Sequence, residues 1–104
     1  MTIVQTLEKF SMHIHAREAK ITDDIKRRLS YMAERLKALA VGIERMDVYV
    51  IESVSQVTSP RTVKVNLRLP GSDLQSSDSG KQWKALIRHV EKRLTRQLEK
   101  YNIP

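Results

Sequence analysis

The sequence predicts an α+β fold of two layers, in which a four-stranded sheet carries both of its helices on one face. Three observations predict it. Two long segments repeat apolar residues at helical spacing, several shorter ones alternate apolar and polar residues, and the order along the chain is β-α-β-β-β-α. Each predicted helix has a single apolar stripe and each strand a single apolar face. Packing the stripes onto the sheet is the most economical way to bury both.

Residues 1–8 are mixed in composition and read as a loosely held, flexible arm. From Phe10 the pattern alternates, with Phe10, Met12 and Ile14 on one side and Ser11, His13 and His15 on the other, which predicts a half-buried strand. Ile21-Thr22-Asp23-Asp24 is a helix start. Thr22 can accept from free backbone N–H groups, and the two Asp side chains favour the positive end of the helix dipole. Ile25, Leu29, Met32, Leu36 and Leu39 then form a stripe along a helix over 22–39, with Gly42 as its stop.

A second strand is predicted over 46–54, with Met46, Val48, Val50 and Val54 on one face and Tyr49 and Ile51 on the other, and a turn over 56–60. Residues 61–69 alternate most cleanly: Val63, Val65, Leu67 and Leu69 against Thr62, Lys64, Asn66 and Arg68. Pro70-Gly71 is a turn, residues 73–77 form a short fourth strand, and 77–80 a polar loop. The last helix spans 81–101 on a stripe of Trp83, Ile87, Val90, Leu94, Leu98 and Tyr101, and Asn102 and Pro104 end it. Strands one and two, if parallel, require a right-handed crossover through the first helix, and the two turns make the remaining pairs antiparallel.

The chain has 104 residues, enough for one domain, and shows no internal repeat or linker. It has no cysteine, which rules out disulfides, thiolate zinc sites and cysteine nucleophiles and fits a reducing cytoplasm. No N-terminal signal peptide or bilayer-spanning apolar run is visible, so a soluble, cytoplasmic protein without a membrane partner is expected.

Lys and Arg number 19 against 12 Asp and Glu, a formal net charge of +7. Such an excess points to a polyanionic partner, most commonly nucleic acid. Its placement is uneven. Residues 81–100 hold seven basic residues, Lys81, Lys84, Arg88, Lys92, Arg93, Arg96 and Lys100, against Glu91 and Glu99, a net +5. At about 100° per residue, His89, Lys92, Arg93, Arg96 and Lys100 share one acid-free sector. On the first helix Arg27, Arg28, Tyr31 and Arg35 cluster on one flank of the stripe. Cations at helical spacing can follow a phosphate backbone, although Lys and Arg on a helix often do no more than solvate it.

No active site emerges. His13 and His15 could share a metal, but no carboxylate stands at ligand spacing, and two ligands make a weak site. Structural or solvent-facing histidines account for them better. Asp23 and Asp24 are adjacent and diverge on a helix, so capping explains them. Three glycines form no phosphate-cradling loop, and no serine sits in a nucleophile elbow. Trp83 and Phe10 fall on apolar faces as core residues. The reading is of a non-enzyme with no cofactor, no metal and no small-molecule substrate.

Four local features, in order, resemble one family. They are Ile14-His15-Ala16-Arg17 followed by Ile21-Thr22, then Leu67-Arg68-Leu69-Pro70-Gly71, then Trp83-Lys84-Ala85-Leu86-Ile87, and Leu94-Thr95-Arg96-Gln97-Leu98. Together, over residues 10–101, they are similar to the bacterial ribosome hibernation factors, the family of hibernation promoting factor and the ribosome-associated inhibitor protein Y. Lys81 stands where the family often has an acidic residue, and Trp83 where it often has Tyr. With no further domain after Tyr101, the chain looks like a short form, without the long tail of protein Y.

The resemblance implies a translation inhibitor that binds the small ribosomal subunit in the channel used by mRNA and tRNA. Basic helix faces would meet ribosomal RNA there when nutrients are scarce. Carried over by position, the contacts fall on Arg28 and Arg35 of the first helix and on Arg88, His89, Lys92, Arg93, Arg96 and Lys100 of the last. Two other readings stay open. A general double-stranded RNA-binding module shares the α-β-β-β-α core, although residues 55–60 bring no basic residue to the loop such domains use. A protein-interaction module with a solvated basic face is the third, although the outer sheet face (Ser11, His13, His15, Lys64, Asn66, Arg68) is too polar for a large apolar interface.

Overall fold

The structure, a computed structural model, describes residues 2–7, 10–40, 42–53 and 60–101. Its elements are β1 (Thr2–Leu7), β2 (Phe10–Arg17), α1 (Asp23–Leu39), β3 (Arg45–Glu52), β4 (Arg61–Leu69), β5 (Ser72–Gly80) and α2 (Trp83–Tyr101). They form a five-stranded sheet in the order β1-β2-β3-β4-β5. β2 and β3 pair in parallel across the α1 crossover, and every other pair is antiparallel.

The α+β class and the two-layer plan hold, but the sheet has one strand more than the expected four. The extra strand is β1, in the segment read as a flexible arm. Thr2 to Leu7 pair residue by residue with His15 to Phe10, and Ile3 packs against the core. Thr2, Ile3, Val4 and Thr6 favour a strand, but Ile3 and Val4 are adjacent and fall on opposite faces, so no apolar alternation marks the segment. A waiting edge on β2 supplies what the local pattern lacks.

The inner sheet face is the apolar one. Met12, Ile14, Met46, Val48, Val50, Val63, Val65, Leu67 and Leu69 are buried. They meet Ile25, Leu29, Met32, Ala33 and Leu36 of α1 and Leu86, Ile87, Val90, Leu94 and Leu98 of α2 in one cluster. Truncating any of these large side chains to Ala costs about 2–5 kcal/mol.

α1 starts as expected, with the Thr22 hydroxyl accepting from the Ile25 N–H at 3.2 Å. It ends differently. Ala40, in extended conformation, is the C-cap, its N–H donating to Leu36 O, so Gly42 does not stop the helix with a left-handed turn. Leu39 is exposed rather than part of the stripe. Trp83 is half-buried at the edge of the core, beneath the Arg61 guanidinium, 5.2 Å from the ring centroid.

β5 runs three residues past the expected short strand, through the stretch read as polar loop. Its inward positions, Leu74, Ser76, Asp78 and Gly80, are only partly covered, which is why no apolar alternation marked it. The Pro70-Gly71 turn stands, and Gly71 adopts φ +77°. The turn expected over 56–60 and the helix end at Asn102 and Pro104 lie outside the described residues, apart from Pro60, whose carbonyl accepts from the Ser53 N–H. Val54 and the Phe10 side chain also lie outside them.

The outer sheet face carries a polar network. Asp47 accepts from Arg45 and pairs with His15 Nε2 at 3.0 Å. The His15 ring stacks on Tyr49, with centroids 4.7 Å apart, and Lys64 covers Tyr49 from the other side. Thr2 Oγ1 of β1 lies 3.4 Å from His15 Nδ1. Both histidine nitrogens thus have partners, and no group of three or more metal-ligating side chains forms among the described residues.

Candidate nucleic-acid interface

The topology aligns the two helices. β2, β3 and β5 point the same way, so the helices that follow β2 and β5 both return in the opposite direction and lie parallel. Arg28 shares one stretch of the groove between them with Lys84, and Arg35 meets Glu91 in the next. Because each helix buries its apolar stripe on the sheet, the facing flanks and outer surfaces are left to water and charge.

The groove is lined by Arg35 of α1 and by Arg88, Glu91, Lys92, Thr95, Arg96 and Glu99 of α2, and has a volume of about 570 Å³. A smaller hollow of about 250 Å³ continues it toward the helix starts, with Arg28, Tyr31 and Lys84 at its walls. Of the eight residues implied by the resemblance, Arg28, Arg35, Arg88, Lys92 and Arg96 therefore come together along one groove.

Their charges are not equally available. Arg35 spans the groove and donates two hydrogen bonds to Glu91, Nε to Oε2 at 2.6 Å and Nη2 to Oε1 at 2.7 Å. That contact raises the Arg35 pKa above its ordinary value. Arg28 donates to Asp24 one turn earlier, at 2.8 Å, and this hydrogen bond holds the Asp24 carboxyl below its ordinary range. Among the described residues no carboxylate lies within ion-pair distance of Arg88, Lys92, Arg96 or Lys100, and all four are exposed.

His89 and Arg93 stand on the opposite flank of α2, over β5. His89 Nδ1 lies 2.8 Å from Asp78 Oδ2, and Arg93 donates to the Ser77 carbonyl at 2.7 Å with Asp78 3.9 Å away. The His89 contact in particular lowers the Asp78 pKa. By helical spacing Lys100 lies on this flank too. The acid-free sector of the α2 sequence is thus not acid-free in space, because β5 supplies the acid.

The groove is also lined by residues absent from the positions the resemblance implied, Lys84 and Glu91 among them. Lys84 lies one turn before Arg88 on the same flank of α2, so i, i+4 spacing was enough to find it. Glu91, as the partner of Arg35, was not visible, because the pairing joins two helices far apart in sequence. No helix among the described residues is long and apolar enough to cross a membrane.

Comparison with known proteins agrees with this architecture. The N-terminal domain of Thermus thermophilus Protein Y matches with a TM-score of 0.71 at 19% identity, covering 86% of this chain and 94% of that one. A ribosomal subunit interface protein from Coxiella burnetii matches with a TM-score of 0.71 at 17% identity, covering 85% of this chain and 94% of that one. At such identities the likeness is one of fold. No curated protein matches the sequence. The family described as sigma 54 modulation protein / S30EA ribosomal protein matches residues 12–102, which leaves β1 outside the shared domain. The chain therefore belongs to that ribosome-associated family, the one whose hibernation factors its sequence resembles.

Proposed function

We propose that this protein is a cytoplasmic ribosome hibernation factor, a single 104-residue domain that binds small-subunit ribosomal RNA in the mRNA–tRNA channel and inhibits translation. The observation that carries the reading is the parallel helix pair, which sets Arg88, Lys92 and Arg96 along one groove without carboxylate partners among the described residues, on a chain of this family. A cationic row at helical spacing engages phosphates without reading bases, which suits a folded RNA surface. Arg28 and Arg35 extend the row on α1, and His89, Arg93 and Lys100 widen it on the β5 flank. The Coxiella burnetii neighbour, named for a ribosomal subunit interface, supports the same partner.

Sedimentation of the purified protein with ribosomal subunits through a sucrose gradient tests the proposal. Co-migration with the small subunit that weakens as salt rises is expected. Absence from every ribosomal fraction overturns it, and equal retention on a free RNA duplex favours a general duplex-binding module instead.

A further inference from the structure

The chain has three tyrosines, and two have evident partners. Tyr49 is stacked between His15 and Lys64, and the Tyr101 hydroxyl donates to the Pro70 carbonyl at 3.2 Å. Tyr31 is different. It is 51% exposed, and among the described residues its ring stacks on nothing and its hydroxyl has no hydrogen-bond partner. Its position on α1, between Arg28 and Arg35, puts it in the wall of the hollow that faces Lys84 and Arg88 of α2.

The charges around the ring are lopsided. Arg28, Arg35, Lys84 and Arg88 are cationic; Arg35 is tied to Glu91, the carboxylate of the lining, and Arg28 to Asp24, which leaves Lys84 and Arg88 without an ion-pair partner among the described residues. The hollow, about 250 Å³, lies just under the lower end of small-molecule pockets, about 300 Å³. The space suits one monomer of a polymer. An unengaged aromatic face beside unpaired cations is the chemistry by which proteins hold single-stranded nucleic acid: the ring stacks a base, and the cations hold the phosphates on either side.

We infer that this hollow is a seat for one unstacked RNA nucleotide, with its base on the Tyr31 ring and its flanking phosphates on Lys84 and Arg88. The inference rests on the RNA-binding reading above and adds to it a contact that a purely electrostatic surface lacks. A base held there fixes the register of the RNA along the helices, which phosphate contacts alone leave free to slide.

The test compares three fluorescein-labelled probes on the intact protein: a 12-mer of oligoadenylate, an abasic 12-mer of equal charge, and an oligoglutamate of equal charge. Oligoadenylate is expected to bind roughly ten-fold more tightly than the abasic strand, the size of one base–aromatic stack. Tyr31→Ala removes that preference, and Tyr31→Phe keeps it. Lys84→Gln with Arg88→Gln weakens both nucleic-acid probes alike and lowers the single-strand salt slope by about 1.4. Equal binding of the abasic strand by the wild type, or oligoglutamate binding as tight as oligoadenylate, overturns the inference. So does a preference unchanged in Tyr31→Ala. If the wild type co-sediments with small subunits yet shows no base preference, the nucleotide seat fails and the ribosomal reading stands. If it prefers oligoadenylate but ignores ribosomes, the ribosomal reading fails and the seat stands.

Discussion

Arg35 of α1 and Glu91 of α2 close a two-pronged ion pair across the groove between the parallel helices, with both hydrogen bonds at 2.7 Å or less. Glu91 is the more enclosed partner, its side chain 19% exposed against 60% for Arg35. The pair therefore joins the helices and at the same time takes one cation out of the free set. On the proposed RNA-binding role, stability and affinity pull in opposite directions at this point.

Glu91→Gln is expected to release Arg35, strengthen binding to small subunits and make it more salt-sensitive, since one more cation meets phosphate. Unfolding should move by no more than about 1 kcal/mol, the ordinary size of a partly exposed pair. Salt-dependent binding isotherms and denaturant melts check both halves. Weaker binding in the variant would show that Glu91, not Arg35, faces the partner.

Charge reversal separates the two flanks of α2. Lys92→Glu with Arg96→Glu should abolish co-sedimentation while leaving the melting temperature nearly unchanged, because neither side chain has an ion-pair partner among the described residues. Arg93→Glu should also cost stability, since it sets a carboxylate against the Ser77 carbonyl and Asp78. Thermal melts beside gradient profiles distinguish the cases.

On the outer sheet face, burial raises the Asp47 pKa, but hydrogen bonds from Arg45 and His15 outweigh it and hold the carboxyl below its ordinary value. A lowered folded pKa contributes stability above the unfolded value, near 3.8, and loses it as pH falls through the folded one. Asp47→Asn should therefore cost about 1–3 kcal/mol at neutral pH, the range for a charged hydrogen-bonding group losing its role. Wild-type and variant melting curves should converge as pH drops below about 4. A gap that stays constant from pH 7 to pH 3 would contradict this account.

Deleting residues 1–7 removes β1 but leaves the matched segment, 12–102, whole. The shortened chain should fold, melt several degrees lower for loss of the β1–β2 ladder and of Ile3 packing, and bind subunits as before. Circular dichroism melts and sedimentation check it. Loss of binding on deletion would assign β1 a role in the interface.

Periodicity carried much of the architecture. The stripes Ile25-Leu29-Met32-Leu36 and Ile87-Val90-Leu94-Leu98, and the alternation Val63-Val65-Leu67-Leu69, specify helix and strand locally because burial on one face imposes one period. The same patterning also marked which helix flanks face water and carry charge. β1 and the far end of β5 escaped this reading for one reason: both are edge strands. Each pairs on one side only, with the strand next to it in sequence, and few of its side chains need to be apolar.

By itself, then, the sequence determined the α+β class, the core faces, the Thr22 cap and the concentration of positive charge on α2. Only the tertiary structure decided which of those charges are free. Helical spacing places cations relative to their own helix, but a carboxylate from elsewhere in the chain can come to face them. Asp78 of β5 claims His89 and Arg93, and Glu91 claims Arg35 across the groove, leaving Arg88, Lys92 and Arg96 open to an outside anion. An ion pair between distant segments exists only once packing brings the segments together. No local pattern encodes it.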